Sequence, residues 1–216
     1  VTDLRRAPDG WVVGCEAGGL LTGVDAIILT VPSFVAARLL SPLDHAFQAP
    51  LTEIPYAPVS VVGLGFRRDD VGHALDGFGF LVPGRERRGI LGCLFDSTVY
   101  PGRAPEGHVL LRVMVGGARQ PLNALFDDAA ILALVRDELD DVLSLVGDPV
   151  MTRVIRWTSA IPQYELGHRD RLAALDAATA SWPGLYLGGN AFCGVAVGDC
   201  AREAGRLAQR VLPGVS

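Results

Sequence analysis

From Ala177 to Gly198 the chain carries no charged side chain, and this uncharged stretch constrains the fold more than any other segment. Its length would suffice for a membrane-spanning helix. Pro183, Asn190 and the glycines Gly184, Gly188, Gly189, Gly194 and Gly198 interrupt it, however, so it reads as strand, loop and turn. Leu185-Tyr186-Leu187 is a short buried strand, Gly188-Gly189 opens a glycine-rich loop, and Asp199 stands where an N-cap would start an alanine-rich helix to about Val211. Glycines let backbone approach a ligand, and a helix start presents unpaired N–H groups with a partial positive charge. Together they suit something flat and electron-rich. An ordinary strand–turn–helix without a ligand fits the same residues, and the G-x-G-x-x-G dinucleotide pattern is absent, so at this level the ligand stays open.

Composition narrows the classes. Half of the 216 residues are hydrophobic, 20% are charged and the mean hydropathy is +0.32, the reverse of a disordered chain. A net charge of −5 and the lack of any basic cluster argue against nucleic acid as a partner. Cys15, Cys93, Cys193 and Cys200 form no C-x-x-C pair, and His45, His73, His108 and His168 fall in no ligand spacing, so no metal site is expected. Scattered cysteines suit a reducing compartment. A cytoplasmic location follows as the expectation, with peripheral membrane contact on the cytoplasmic face left open.

The pattern along the chain is mixed α/β with a sheet-rich insertion. Trp11–Glu16 and Gly23–Val31 read as strands around an Ala17-Gly18-Gly19 turn, the second an apolar run of the kind covered on both faces. Ser33 can cap a helix through Leu40. From Ala57 to Val115 the segments VSVVGLGF, FGFLVP, GILGCLF and HVLLRVMV form a series of strands expected to make a mostly antiparallel sheet. Asp127–Val146 turns helical, with Ile131, Val135, Leu139, Val142, Leu143 and Val146 on one face and Gly147 as the stop. Met151–Trp157 reads as a strand and Arg169–Ala180 as a helix.

The C-terminal pattern G-x-x-x-x-G-V-A-V-x-D-C, made by Gly189, Gly194 to Val197, Asp199 and Cys200, resembles the flavin motif of protoporphyrinogen oxidases. Further blocks in the order of that family are VDAIILTVPS, Gly77-Phe78-Gly79-Phe80-Leu81-Val82-Pro83, Leu91-Gly92 with Asp96-Ser97, Pro101 to Pro105, Gly116-Gly117, and Ile161-Pro162-Gln163-Tyr164 with Gly167-His168. The family lies among the FAD-dependent, amine-oxidase-like flavoproteins and includes bacterial coproporphyrinogen III oxidases.

The resemblance implies an α/β (α+β) fold: a partial Rossmann-like FAD-binding domain with an inserted substrate domain of mostly antiparallel sheet plus helix. Residues 1–50 and 153–216 would belong to the FAD domain and 51–152 to the substrate domain. It also implies that the chain is the C-terminal half of such a protein, inactive by itself. FAD is the expected cofactor, with backbone N–H groups of Gly194, Val195, Ala196 and Val197 against the flavin pyrimidine edge, Val1 at the adenine and Trp157 as a weaker ring contact. Phe78, Leu81, Leu94 and Met114 match an apolar porphyrinogen pocket. The implied reaction passes hydride from protoporphyrinogen IX or coproporphyrinogen III to flavin N5, with oxygen or another acceptor closing the cycle in haem biosynthesis. No catalytic side chain is assigned, and His168 is expected to anchor structure. Other flavin oxidases or desaturases of the fold, and a non-catalytic fragment, are the competing readings.

Overall fold

Apolar residues at every second position of the middle third produce a single sheet. In the computed structural model, which describes residues 1–212, the chain runs β1 (Asp3–Ala7), β2 (Gly10–Gly14), β3 (Leu20–Val24), β4 (Ile27–Leu29), α1 (Ser33–Leu40), α2 (Gln48–Thr52), β5 (Tyr56–Arg67), β6 (Gly79–Leu81), β7 (Ile90–Leu94), α3 (Asp96–Val99), β8 (His108–Gly116), α4 (Asp128–Leu143), β9 (Met151–Pro162), α5 (His168–Ala180), β10 (Leu185–Leu187) and α6 (Val197–Val211). Two compact units result, one made of Val1–Pro55 with the chain from Pro162 onward, the other of Tyr56–Ile161. The divisions fall later than the expected 50/51 and 152/153, because β5 and β9 are unbroken strands of 12 residues each. The N–H of Gln163 donates to the Pro55 carbonyl at 2.8 Å, so the outer unit is left and re-entered at neighbouring points. No helix among the described residues is long and apolar enough to cross a membrane.

The inserted unit is a five-stranded sheet in the order β6-β7-β8-β5-β9, with β6, β7, β8 and β5 antiparallel to their neighbours. Side chains alternate between its faces. Val62, Leu64 and Phe66 of β5 and Val109, Leu111, Val113 and Val115 of β8 meet Ile131, Val135, Leu139 and Leu143 of α4 in one core. Burying each such side chain contributes roughly 1.5–3 kcal/mol. Asp127 caps α4 by accepting the Ala130 N–H at 2.8 Å, as its place before the helix predicts. The helix ends earlier than Gly147, at Ser144 in the left-handed conformation. Val146 therefore lies outside it and is 65% exposed, and Val142 sits at the margin of the buried stripe, which four residues complete.

In the outer unit, β1, β2 and β3 form an antiparallel sheet, and β4 pairs in parallel with β10, Ile27 opposite Leu185 and Leu29 opposite Leu187. The apolar run expected as one strand over Gly23–Val31 is thus divided between two sheets: Val24 pairs with Trp11, Ile27 with Leu185. Ile27 and Leu29 are buried while Ile28 is 43% exposed, so the run is covered on one face and not on both. Pro32, with extended backbone, takes the N-cap position of α1, and Ser33 becomes a buried first residue of the helix. Trp11, fully buried, donates its indole N–H to the Pro183 carbonyl at 3.1 Å and holds the approach to β10.

Candidate functional site

Because β4 and β10 are parallel, their carboxyl ends lie side by side, at Thr30 and Gly188. A cleft of about 540 Å³ opens there, walled by Thr30, Gly189, Asn190, Val195, Val197 and Ala204 among others, none of its lining residues charged. The carboxyl ends of parallel strands are where open α/β sheets take ligands. Glycine permits the close packing beside it: a Cβ on Gly188 would come within 2.4 Å of Leu207 Cδ1, and one on Gly189, at φ +102°, within 3.2 Å of the Thr30 carbonyl oxygen.

The N-cap of the helix bordering this cleft stands three residues earlier than the sequence suggests. Ala196, extended at φ −76° and ψ 149°, is the N-cap of α6 and offers no side-chain acceptor. Asp199, expected as the cap, lies in the first turn, where its carboxylate suits the helix dipole and pairs with Arg202. It also packs against the preceding loop, since a Cβ on Gly194 would come within 2.6 Å of it; Gly194 adopts φ +114°, where only glycine is at ease. The N–H groups of Val197 and Gly198 consequently head α6 without intrahelical acceptors. Val195 and Val197 are 50% and 87% exposed beside them. Gly194, Val195, Ala196 and Val197 are thus brought together as one loop and helix start.

Tyr164 holds that loop. Its hydroxyl donates to the Asn190 carbonyl at 2.6 Å and accepts the Gly194 N–H at 2.7 Å, tying both ends of the loop to one phenol. Burial pushes the phenol pKa up, with the Gly194 bond acting the other way, so the group stays a neutral donor and acceptor. His168 stacks on the Tyr164 ring at 4.1 Å and 10°. The imidazole is 7% exposed and neither ring nitrogen meets a hydrogen-bond partner among the described residues; burial, then Arg171, lowers its pKa. Its anchoring is therefore by stacking and burial, not by the hydrogen bond that a histidine beside a turn suggests.

In the inserted unit, the sheet face opposite α4 gathers the other candidates. Leu81 stands opposite Gly92 and Gly92 opposite Met114, while Leu94 stands opposite Arg112 one row away. Leu81, Leu94 and Met114 thus share one face, with Leu81 77% exposed. Gly63, Gly65 and Gly92 leave its floor bare. Phe78 precedes β6, its carbonyl accepting the Phe95 N–H at 3.1 Å and its ring 67% exposed. Trp157, on β9, is 58% exposed. It alternates with Arg156, which bonds the Phe126 carbonyl and Asp128 near the start of α4, so Trp157 belongs to the opposite, open face. Val1 stands just ahead of β1 and does not line the cleft at Thr30.

Two residues at the candidate site, Tyr164 and Arg112, are not singled out as site residues by the sequence. Tyr164 gave no sign beyond its place in a motif, because its partners are backbone groups 26 and 30 residues away. Arg112, held by Asp96 through Nε at 3.2 Å and Nη2 at 2.8 Å, sits at an alternate position of an apolar strand, which was the available signal.

Comparison with known proteins gives a consistent picture. The model of the family described as "Flavin containing amine oxidoreductase" matches residues 1–212. Coproporphyrinogen III oxidase of Bacillus subtilis (strain 168) is 35% identical over 183 residues, covering 84% of this chain and 38% of that protein. Chloroplastic protoporphyrinogen oxidase of Nicotiana tabacum is 36% identical over 196 residues, covering 86% and 36%. The chain therefore spans well under half the length of these relatives. In fold it resembles a crystal structure from Exiguobacterium sp. 255-15 with TM-score 0.79 and 24% identity, over 97% of this chain and 45% of that one. A putrescine oxidase mutant gives TM-score 0.71 at 15% identity, over 98% and 47%.

Proposed function

Since this chain belongs to the flavin containing amine oxidoreductase family, we propose that it forms the C-terminal part of an FAD-dependent porphyrinogen oxidase, acting on protoporphyrinogen IX or coproporphyrinogen III with oxygen as acceptor in haem biosynthesis. The residues present fit the cofactor: an uncharged cleft at the carboxyl ends of parallel strands, facing a helix start with free N–H groups, suits a heterocycle edge that gains negative charge on reduction. Val195, Ala196 and Val197 would hold the pyrimidine edge, with Gly194 allowing the close approach. When bound there, FAD supplies the two-electron acceptor for hydride leaving the substrate.

The chain's own work is then orientation and exclusion of water. Leu81, Leu94 and Met114 offer an apolar surface over bare glycines, on which a flat macrocycle can lie, and Phe78 and Trp157 border it. No side chain is assigned a proton-transfer role, and His168, stacked on Tyr164 and buried, is kept out of the chemistry. The observation that carries the reading is this glycine-floored apolar face within a chain whose relatives are named for porphyrinogens. Purification of the flavoprotein that carries the chain, followed by porphyrin fluorescence on adding each porphyrinogen, tests it. Turnover of one of them is expected; flavin-replete protein that yields no porphyrin but oxidises an amine would replace this reading with an amine oxidase.

A further inference from the structure

One row on the open face of the five-stranded sheet differs from its apolar neighbours. Arg112 on β8 stands opposite Gly63 on β5, and a Cβ built on Gly63 would meet the Arg153 Cβ of β9 at 3.9 Å. Adjacent strands lie about 4.8 Å apart, so the two arginines rise about 10 Å from each other with no side chain between them. The rows on either side are apolar: Val61 opposite Met114, and Leu110 beside Met151 across Gly65.

The charges in this row do not balance. Asp96 takes two bonds from Arg112, through Nε and Nη2, and leaves Nη1 outside the pair. Arg153 is exposed, with no carboxylate partner among the described residues. Two guanidinium groups and one carboxylate thus leave a net positive charge set into an apolar surface. Packing does not require either arginine, since a β-branched side chain would serve the strand as well. A guanidinium fork matches a carboxylate in geometry and charge, and such bonds are the strong ones.

We propose that Arg112 and Arg153 read a side-chain carboxylate of the macrocycle lying over Gly63, and so determine which porphyrinogen is preferred. The inference rests on the reading of this face as the porphyrinogen surface. Both porphyrinogens carry two propionates, and coproporphyrinogen carries two more where protoporphyrinogen carries vinyl groups; the row is assigned to one of these additional propionates, and so favours coproporphyrinogen.

The test is steady-state kinetics of the flavoprotein carrying this chain with both porphyrinogens, wild type against Arg153→Gln, with Arg112→Lys as a second variant that keeps a cation beside Asp96. In Arg153→Gln the kcat/KM for coproporphyrinogen relative to protoporphyrinogen falls about tenfold, through KM, as loss of a charge-assisted hydrogen bond dictates. Arg112→Lys moves the same ratio in the same direction, because the ammonium lacks the fork. Equal effects on both substrates, or none, overturn the proposal. If wild type turns over neither porphyrinogen, the functional reading fails separately, and titration with coproporphyrin III and protoporphyrin IX decides for the row: selective weakening of coproporphyrin binding in Arg153→Gln sustains it, and unchanged binding overturns it.

Discussion

The hydroxyl of Tyr164 accepts the backbone N–H of Gly194 at 2.7 Å, and the same oxygen donates to the Asn190 carbonyl. A single phenol thereby fixes the loop that delivers Val195, Ala196 and Val197. Removing the oxygen in Tyr164→Phe leaves the ring stacked on His168 but frees the loop. Each hydrogen bond of this kind contributes about 1 kcal/mol. FAD affinity of the flavoprotein is expected to fall about five- to tenfold, read as flavin absorbance retained after gel filtration, while the melting temperature drops by only a few degrees, as the loss of two such bonds dictates. Undiminished retention would remove Tyr164 from the positioning role.

A more selective change acts on the helix start itself. Ala196 already has the extended backbone that a residue before proline needs, and Val197 is the first residue of α6, where proline is well tolerated. Val197→Pro should keep the fold and delete one N–H from the cleft. Flavin retention is expected to drop about tenfold with unchanged far-UV circular dichroism, whereas Val197→Ala, which keeps the N–H, should retain flavin. Equal retention by the two variants would show that this N–H holds nothing.

The buried stripe of α4 ends where the structure ends it. Leu139 is fully buried in the core of the inserted unit, so Leu139→Ala should cost about 2–5 kcal/mol. Val146→Ala, outside the helix and exposed, should stay within about 0.5 kcal/mol. Urea unfolding of the two variants measures the difference, and similar losses would restore Val146 to the core.

His168 makes stability depend on acid. Its folded pKa lies below the ordinary 6.5, chiefly through burial, so below that value the unfolded chain binds a proton that the folded chain does not. Stability therefore falls as the pH is lowered from about 6.5 toward the folded pKa and is unaffected by this group above it. His168→Phe keeps the stack on Tyr164 and removes two buried nitrogens without partners. The variant's melting temperature should decline less than wild type's between about pH 6.5 and 5 and be no lower at neutral pH. Parallel curves would place the acid sensitivity in other groups.

The sheet of the inserted unit was legible because its strands obey a period of two and are bounded by glycine, proline and aspartate, and α4 was legible because Ile131, Val135, Leu139 and Leu143 keep helical spacing behind a capping Asp127. The failures share a different cause. The division of Gly23–Val31 between β3 and β4 depends on β10, a partner some 160 residues away in sequence, which no local pattern encodes. Asp199 looks like a cap by type, but the loop geometry at Gly194 moves the helix start to Val197 and gives Asp199 to Arg202. At the candidate site, the contiguous residues Gly194 to Val197 could be found from their motif. Leu81, Leu94 and Met114 were grouped through the resemblance, but that they share one sheet face, and that Arg112 lies on it, needed the strand register, since those residues are far apart along the chain.

The bond from Gln163 to the Pro55 carbonyl means that the inserted unit hangs from two adjacent points of the outer one. An insertion tethered this way behaves as a cassette. The entropy of closing the chain rises only slowly with the length spliced in, so changes of length within the insertion leave its two ends side by side and the strand ends and helix start of the cleft connected as they are.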